Sequence, residues 1–293
     1  MEQGGKPAHT WRFGGREIGL GRTLILGVVN VTPDSFSDGG RFFDPRTAVE
    51  HGLRLVADGA DLLDVGGEST RPGSDPVPAD EELRRVLPVL EELKARAGVP
   101  IAIDTTKAFV ADRAAEAGAA IVNDVSGLRF DPEIADVARE RGLGLVLMHS
   151  RGRPKDMQQS PRYDDVVAEV IAELREALGR ASARGVPADA IAVDPGLGFA
   201  KRVQDNLALL GAVPALRAAL GRPLVVGPSR KSFIGTVTGA PVERRVPGTL
   251  AAVAVAVFGG AEVVRAHDVA EARQAADLAA AIRAGRPPGG GPA

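Results

Sequence analysis

Residues 24–30, LILGVVN, form a short apolar run that ends in an asparagine, and similar runs recur along the chain. Including this one, eight runs are predicted to be strands: Leu24–Asn30, Leu62–Gly66, Ile101–Thr105, Ala120–Val125, Gly144–His149, Ile191–Asp194, Leu224–Gly227 and Val263–Ala266. Nearly continuous apolar runs are typical of parallel strands that are covered by helices. The pattern therefore predicts a parallel sheet of eight strands.

Amphipathic stretches rich in Ala, Leu, Arg and Glu fill the intervals between these runs. They predict helices at Arg46–Asp58, Ala79–Arg96, Phe109–Ala117, Pro132–Arg141, Arg162–Arg184, Val246–Phe258 and Ala270–Ala284. Eight β-α units in about 260 residues match a (β/α)8 barrel, the TIM barrel. An open, doubly wound sheet is the alternative α/β architecture, and the count of eight units disfavours it.

We expect a single α/β barrel domain over residues 1–284. Within it, residues 10–22 contain two adjacent glycines between short apolar stretches, which predicts an N-terminal hairpin that caps the barrel. Residues 285–293, GRPPGGGPA, have no side chains that could build a core, so we expect a disordered C-terminal tail.

Composition and charge exclude several classes of protein. Lys and Arg number 36 against 38 Asp and Glu, and this formal charge of −2 disfavours nucleic acid or an anionic membrane as a partner. Cysteine is absent, which excludes disulfides and thiol nucleophiles. The longest apolar run, Leu250–Phe258, is shorter than the about 20 residues of a membrane span, and no secretory signal is visible. We expect a soluble, cytoplasmic protein.

Polar residues end or follow all eight predicted strands. In a barrel the catalytic groups come from the carboxyl ends of the strands, so these residues would face one common mouth. They are Asn30, Glu68–Arg71, Asp104, Asn123, His149, Asp194, Ser229–Lys231 and Arg265–His267. Any single one could be an ordinary turn residue, but their coincidence at every strand predicts an active site.

The loops after the first two strands are unusually rich in Gly, Pro, Ser and Asp. They read VTPDSFSDGG at residues 31–40 and GGESTRPG at residues 66–73. Backbone N–H groups, hydroxyls and Arg71 in such loops suit the binding of an anion. Two flexible turns would have the same composition, so this feature alone leaves both readings open.

Seven longer motifs along the chain resemble those of one protein family. They are GVVNVTPDSFSDGG at 27–40, DVGGESTRPG at 64–73, IDT at 103–105, NDVSG at 123–127, DPGLGF at 194–199, SRKSFIG at 229–235 and RAHD at 265–268. Over residues 10–284 the chain resembles dihydropteroate synthases. The resemblance implies that p-aminobenzoate is condensed with 7,8-dihydropterin-6-ylmethyl diphosphate to give 7,8-dihydropteroate and pyrophosphate.

Three polar residues match the positions that hold the pterin in that family. The resemblance implies that Asp194, Asn123 and Asp104 bind the 2-amino-4-oxopyrimidine edge, whose adjacent N–H groups a carboxylate can accept together. The structural alternatives are a helix cap for Asp194 and an ion pair with Lys107 for Asp104.

Cationic and hydroxyl residues match the positions around the diphosphate. Lys231 would donate to the pterin carbonyl, and Arg265 would stack on the ring and reach phosphate. Arg265 and His267 lie two residues apart at a strand end, so both can face the mouth. Together with Thr70 and Arg71 they would form the diphosphate pocket.

Asn30 matches the family position that contacts Mg²⁺, the cofactor that the resemblance implies. A single amide is a weak metal ligand, so the diphosphate would hold the ion. The arylamine is the nucleophile, and Mg²⁺, Arg265 and His267 would stabilise the departing pyrophosphate. Asp38 matches the carboxylate that the family places near the incoming amine.

The remaining matches concern the aminobenzoate site. The resemblance implies that Phe36, Pro72 and Phe199 form walls around the aminobenzoate ring. Ser232, at a predicted helix N-terminus, would bind the carboxylate of that substrate.

The sequence departs from the family pattern in two places. HSRG stands at 149–152, where the family usually has a His-Met-Gln-Gly-like run, and Asp205 stands where a histidine is common. Neither position has a ligand role to transfer. We interpret His149 as structural, and the role of loop 150–163 stays open.

Two alternative functions are considered. A methyltetrahydrofolate-binding methyltransferase domain would share the pterin contacts but needs no diphosphate site, so Asn30, Thr70 and Arg71 argue against it. A catalytically inactive pterin-binding paralogue would be expected to lose the first loop or Lys231, and the sequence retains both. The resemblance also implies a homodimer, for which the Leu250–Phe258 helix is compatible with an interface or with core packing.

Overall fold

The first elements of the computed structural model, which describes residues 10–32, 45–71, 73–159 and 161–286, form a hairpin. Strands β1 (Thr10–Phe13) and β2 (Arg16–Gly19) pair antiparallel around a two-glycine turn. Trp11 is buried and donates from Nε1 to the carbonyl of Ala190, directly before a barrel strand, at 2.9 Å. The predicted hairpin therefore covers the end of the barrel at which the strands begin.

Eight parallel strands form the barrel sheet. They are β3 (Leu24–Asn30), β4 (Leu62–Gly66), β5 (Ile101–Asp104), β6 (Ile121–Asp124), β7 (Gly144–Met148), β8 (Ile191–Asp194), β9 (Val225–Val226) and β10 (Val263–Ala266). They follow the order β8-β7-β6-β5-β4-β3-β10-β9, and a parallel bridge between Val193 and Leu224 joins the two ends. The predicted TIM barrel is confirmed. The strand predicted at 224–227 is shorter than expected, because only its two central valines pair with β10.

Helices surround this sheet: in the described residues two follow β8, two follow β9, and one follows each other strand. They are α1 (Pro45–Ala57), α2 (Ala79–Arg96), α3 (Ala108–Ala117), α4 (Ile134–Arg141), α5 (Val166–Ala183), α6 (Val203–Gly211), α7 (Val213–Leu220), α8 (Ser232–Thr238), α9 (Val246–Gly259) and α10 (Val269–Ala284). The helix predicted from Arg162 begins later, because the Asp165 side chain caps α5 by accepting from the amides of Val167 and Ala168. No helix in the described part of the chain has the length and apolar character that a bilayer crossing requires.

The barrel interior changes from apolar to polar along its axis. Near the hairpin, Trp11 and Phe13 pack on inward-facing side chains that include Leu24, Leu26 and Leu62. At the opposite end the strands carry buried polar groups. Since buried polar groups need hydrogen-bond partners, this end is where a ligand or an internal network is required.

Candidate active site

Side-chain alternation along five strands places a polar layer inside the barrel mouth. Successive side chains of a strand point to opposite faces, so a residue two positions beyond an interior residue also points inward. The interior apolar residues are Leu62, Ala102, Ile121, Ala192 and Val263. The residues two positions further along are Asp64, Asp104, Asn123, Asp194 and Arg265. These five side chains therefore face the interior near the ends of the strands.

Arg265 of β10 joins three strands within this layer. Its Nε donates to Oδ2 of Asp64 at 2.6 Å, and its Nη2 donates to Oδ2 of Asp104 at 3.0 Å. Asn123 donates from Nδ2 to the same oxygen of Asp64 at 3.1 Å. One planar guanidinium thus sets the relative positions of two carboxylates, and Asp64 orients the Asn123 amide.

Two buried carboxylates share the single guanidinium of Arg265. Burial, followed by the charge of Asp64, raises the pKa of Asp104 to about 8, and Arg265 opposes that rise. Oδ1 of Asp64 and Oδ1 of Asp104 are buried without a hydrogen-bond partner. Because unpaired buried acceptors are costly, the cluster suits a ligand that supplies N–H donors.

The mouth also contains Asp194, Lys231 and Phe199. Asp194 accepts through Oδ1 from the amide of Gly196 at 2.6 Å, and burial raises the pKa of its carboxyl. Loss of hydration, followed by the charge of Arg265, lowers the pKa of Lys231 to about 8. The Lys231 ammonium lies 4.3 Å from the centroid of the Phe199 ring, a cation–π contact.

These groups line one pocket. Its walls are Thr70, Asp104, Asn123, Val125, Met148, Asp194, Leu197, Phe199, Gly227, Lys231 and Arg265. All the residues predicted to hold the pterin are among them, together with Thr70 and Phe199. Apolar walls with a few converging polar groups are typical of a small-molecule site.

Comparison with known proteins places this chain in a family. The family described as pterin binding enzyme matches residues 26–267. The dihydropteroate synthase of Synechocystis sp. is 45% identical over 262 residues, which cover 89% of this chain and 90% of that protein. The chain belongs to the dihydropteroate synthase family of pterin-binding enzymes.

Solved structures of this family share the barrel. The Xanthomonas albilineans dihydropteroate synthase with 4-aminobenzoic acid is 45% identical and aligns with a TM-score of 0.88 over 94% of this chain and 99% of that one. The same enzyme in complex with 7,8-dihydropteroate is 42% identical and aligns with a TM-score of 0.84, again over 94% of this chain and 99% of that one. The fold expected from the family resemblance is therefore confirmed.

Other site residues predicted from the family resemblance do not line the pocket. The His267 Nδ1 lies 3.0 Å from Oγ of Ser229. Burial, followed by the charge of Arg265, lowers the pKa of His267 to about 3, so its imidazole is neutral at pH 7. Arg71 and Ser232 are exposed to solvent. Their predicted roles stay predictions.

Asn30, the predicted metal contact, ends β3 in register with Gly66 and is half-buried. Among residues 10–32, 45–71, 73–159 and 161–286, no group of three or more His, Asp or Glu side chains could hold a metal ion. A neutral amide alone does not hold Mg²⁺. The predicted contact of Asn30 with Mg²⁺ therefore stays a prediction. Phe36, Asp38 and Pro72 lie outside the described residues.

The structure decides against both alternatives that were considered for the carboxylates. Lys107 forms its ion pairs with two glutamates, and Asp104 pairs with Arg265 instead. Asp194 caps no helix, because the next helix begins at Val203 and has Arg202 before it. Both carboxylates are thus free of the structural roles proposed for them.

The two departures from the family pattern lie in structural networks. His149 places Nε2 3.0 Å from Oε2 of Glu173, which supports its interpretation as structural. Asp205 accepts from the backbone amide of Arg202 at 2.8 Å and so gives a hydrogen-bond partner to an amide at the start of α6. Neither side chain lines the pocket.

Sequence reasoning assigned no role to Asp64 or Lys201. Asp64 lies inside an apolar run and is fully buried, and a carboxylate in the middle of a buried strand is itself a signal, since it requires a partner. Lys201 lies two residues beyond the motif at 194–199 and is 4% exposed. A buried lysine cannot be recognised from composition alone.

Proposed function

We propose that this chain is a dihydropteroate synthase, a transferase that condenses p-aminobenzoate with 7,8-dihydropterin-6-ylmethyl diphosphate and releases pyrophosphate. The observation that carries the proposal is the single pocket in which Asp104, Asn123 and Asp194 converge with Lys231 and Arg265. The relatives bound to 4-aminobenzoic acid and 7,8-dihydropteroate have the same fold over nearly their whole length.

The carboxylates and the amide account for pterin binding. The pyrimidine edge of the pterin presents several N–H donors, and Asp194, Asn123 and the unpaired oxygen of Asp104 would accept them. Lys231 would donate to the ring carbonyl. A buried site built of acceptors rejects rings that lack these donors, because its polar groups would then be unpaired.

Cationic residues promote departure of the diphosphate. The bond between the pterin methylene and the diphosphate oxygen breaks, the electron pair stays with pyrophosphate, and the dihydropterin ring spreads the positive charge that is left. Arg265, already oriented by Asp64 and Asp104, would stabilise the developing negative charge without reorganisation. Thr70, Arg71 and neutral His267 would contribute hydrogen bonds.

Asn30 would contact a Mg²⁺ carried by the diphosphate, whose charge offsets that of the leaving group. The amine of p-aminobenzoate then forms the new C–N bond and loses one proton. Phe199, stacked beside Lys231, would form one wall of the aminobenzoate site. We assign Phe36 and Pro72 to the other walls, Ser232 to the substrate carboxylate and Asp38 to the neighbourhood of the amine.

The test is to incubate the protein with both substrates and Mg²⁺ and to measure pyrophosphate release together with dihydropteroate. Equal amounts of the two products are expected. Omission of p-aminobenzoate is the control, because it separates transfer from hydrolysis of the diphosphate. The absence of both products would overturn the proposal and favour the inactive pterin-binding paralogue.

The methyltransferase alternative is disfavoured by the cations of the pocket. Lys231 and Arg265 lie together in the pocket beside Thr70, an arrangement suited to an anionic leaving group. A methyltetrahydrofolate-binding domain requires no such group. Tight binding of methyltetrahydrofolate together with failure to bind pyrophosphate would favour the alternative.

We further propose that the protein is a cytoplasmic homodimer. In α9 and α10, which pack against each other, Val255, Phe258, Leu278 and Ile282 are each at least 50% exposed. Exposed apolar side chains on neighbouring helices are typical of an interaction surface. Sedimentation should give the mass of two chains, and Phe258→Lys should shift the equilibrium to monomer.

A further inference from the structure

Lys201 lies at the end of the loop that joins β8 to α6, and its ammonium is buried. The Nζ atom donates to Nδ1 of His149 at 3.0 Å, to the carbonyl of Phe199 at 3.0 Å and to the carbonyl of His149 at 3.4 Å. An ammonium has three N–H donors, and these three acceptors use all of them. Burial lowers the pKa of Lys201 to about 7, which means that burying the charged ammonium is unfavourable for the folded state.

Lys201 and Glu173 determine which ring nitrogen of His149 carries the proton. Because Nδ1 accepts from Lys201, the proton of the neutral ring lies on Nε2, which points to Oε2 of Glu173 at 3.0 Å. Arg151 in turn pairs with Glu173 and stacks on the ring of Tyr163, with 4.1 Å between guanidinium carbon and ring centroid. The chain of contacts therefore anchors Lys201 to α5.

The backbone that Lys201 contacts is tightly folded. Ala200 has φ of 50°, a left-handed conformation that costs a non-glycine residue about 1 kcal/mol. A Cβ on Gly196 would come within 1.9 Å of the His149 carbonyl oxygen, so this loop lies directly against β7. A strained conformation persists only where its surroundings fix it. One hydrogen bond of Lys201 provides that restraint at the Phe199 carbonyl, and the other two tie the ammonium to His149.

The residue whose carbonyl Lys201 contacts is the aromatic wall of the pocket. Phe199 is 8% exposed, and its ring packs in a cluster with Val125, Met148, Met157 and Ala200. The same ring lies beside the Lys231 ammonium. A shift of the 196–202 backbone would therefore displace the aromatic wall and remove the cation–π partner of Lys231.

We infer that Lys201 is a positioning residue for the aminobenzoate site: its ammonium, fixed by His149, holds the Phe199 carbonyl and thereby places the Phe199 ring beside Lys231. This inference rests on the proposed function for its kinetic consequence. Its structural part, the restraint of loop 196–202, is independent of any activity.

The first test measures amide hydrogen exchange of the free protein by mass spectrometry. Lys201→Met removes all three donors at similar side-chain length, and it should accelerate exchange in a peptide covering 196–202 about tenfold. Lys94→Met on α2, where the lysine is exposed, makes the same chemical change away from the loop and should leave this peptide unchanged. Unchanged exchange in the Lys201 variant would overturn the inference.

The second test separates positioning from chemistry. Lys201→Met should raise the KM for p-aminobenzoate about tenfold while kcat falls less than about threefold, because a displaced wall weakens binding more than it slows bond breaking. Lys201→Gln retains N–H donors and should recover part of the loss. If the Lys201→Met variant does not fold, KM and kcat of the Lys201→Gln variant are compared with those of the wild-type protein instead.

The outcomes distinguish the two proposals. A wild-type protein that forms no product contradicts the proposed function, and the exchange experiment still decides the role of Lys201. A lower melting temperature with unchanged KM and unchanged exchange would show a purely structural lysine. A fall in kcat as large as the rise in KM would place Lys201 in the chemical step. Either result would overturn the inference.

Discussion

Arg265 on β10 donates from Nε to Oδ2 of Asp64 on β4 at 2.6 Å, across 201 positions of sequence. The same guanidinium reaches Asp104. Asp64 does not line the pocket, yet it touches both Arg265 and Asn123, which do. The orientation of two binding groups therefore depends on one carboxylate behind them.

Asp64→Asn should shift the pH dependence of the reaction. The Asp64 charge is, after burial, the largest cause of the raised pKa of Asp104, so its removal should lower that pKa and leave Asp104 ionised at a lower pH. The limb of the rate profile that reports Asp104 should move to lower pH. The measurement is kcat/KM across a pH range centred on about 8, where Asp104 titrates.

The matched control for this change is Asp189→Asn, since Asp189 is exposed and pairs with Arg12 of the hairpin, at the opposite end of the barrel. It should leave the rate profile where it is. Superimposable profiles for the wild-type protein and the Asp64 variant would show that Asp64 does not act on Asp104.

Most of the barrel follows from local pattern. The runs at Leu24–Asn30, Leu62–Gly66 and Val263–Ala266 become strands with the predicted bounds because β-branched and apolar side chains suit a sheet buried on both faces. The bounds of β9 were less predictable. Leu224 lies outside β9 and forms an isolated bridge to Val193, which depends on how the sheet closes and not on local sequence.

The site also combines features that follow from local sequence with features that depend on contacts between distant segments. The positions of Asp104, Asn123 and Arg265 at strand ends are readable from sequence, but the pairing of Arg265 with Asp64 is a contact between distant segments. Lys201 illustrates the same limit, since its partner His149 lies 52 positions away. The closed barrel decides which charges become buried together. The sequence therefore signals that Asp64 needs a partner, but it does not identify the partner of Asp64 or of Lys201.

Asp194→Asn should preserve the fold and weaken pterin binding. The substitution replaces one acceptor by a donor in a buried site, and a mismatched buried polar group costs about 1–3 kcal/mol. Affinity for a pterin should therefore fall about 5- to 150-fold in calorimetry. Equal affinities for the variant and the wild-type protein would remove Asp194 from the site.

Arg265→Lys should reduce turnover more than stability. Lysine keeps the positive charge but has a single ammonium, which cannot donate from two directed nitrogens to Asp64 and Asp104 while facing the diphosphate. We expect kcat to fall by about 100-fold, the scale of losing one oriented donor to developing charge. Turnover close to that of the wild-type protein would make Arg265 structural.

Acidification should destabilise the protein through His149. Burial lowers the pKa of His149 to about 4, whereas an unfolded histidine titrates near about 6.5. Between these values the unfolded chain binds a proton that the folded chain does not, so stability is full above pH ~6.5 and is lost as pH falls toward 4. His149→Gln should reduce the slope of unfolding free energy against pH by up to about 1.4 kcal/mol per unit in urea titrations. Parallel curves would exclude His149 as the source.

The last prediction concerns coupling between the diphosphate and the aminobenzoate sites. Arg71 is exposed and lies on the same loop as Thr70, which lines the pocket. The tip of that loop contacts the rest of the barrel through the amide of Gly73, which donates to the carbonyl of Pro154 at 2.9 Å. An anion bound by Thr70 and Arg71 should order this loop and complete the pocket for the second substrate. Mg²⁺-pyrophosphate should therefore tighten p-aminobenzoate binding by about 1–3 kcal/mol, a typical coupling free energy. The measurement is a pair of p-aminobenzoate titrations, with and without Mg²⁺-pyrophosphate, in which a pterin without a leaving group fills the pterin site. Arg71→Ala should abolish the difference between the two titrations, and equal affinities in the wild-type protein would show that the pocket is preformed.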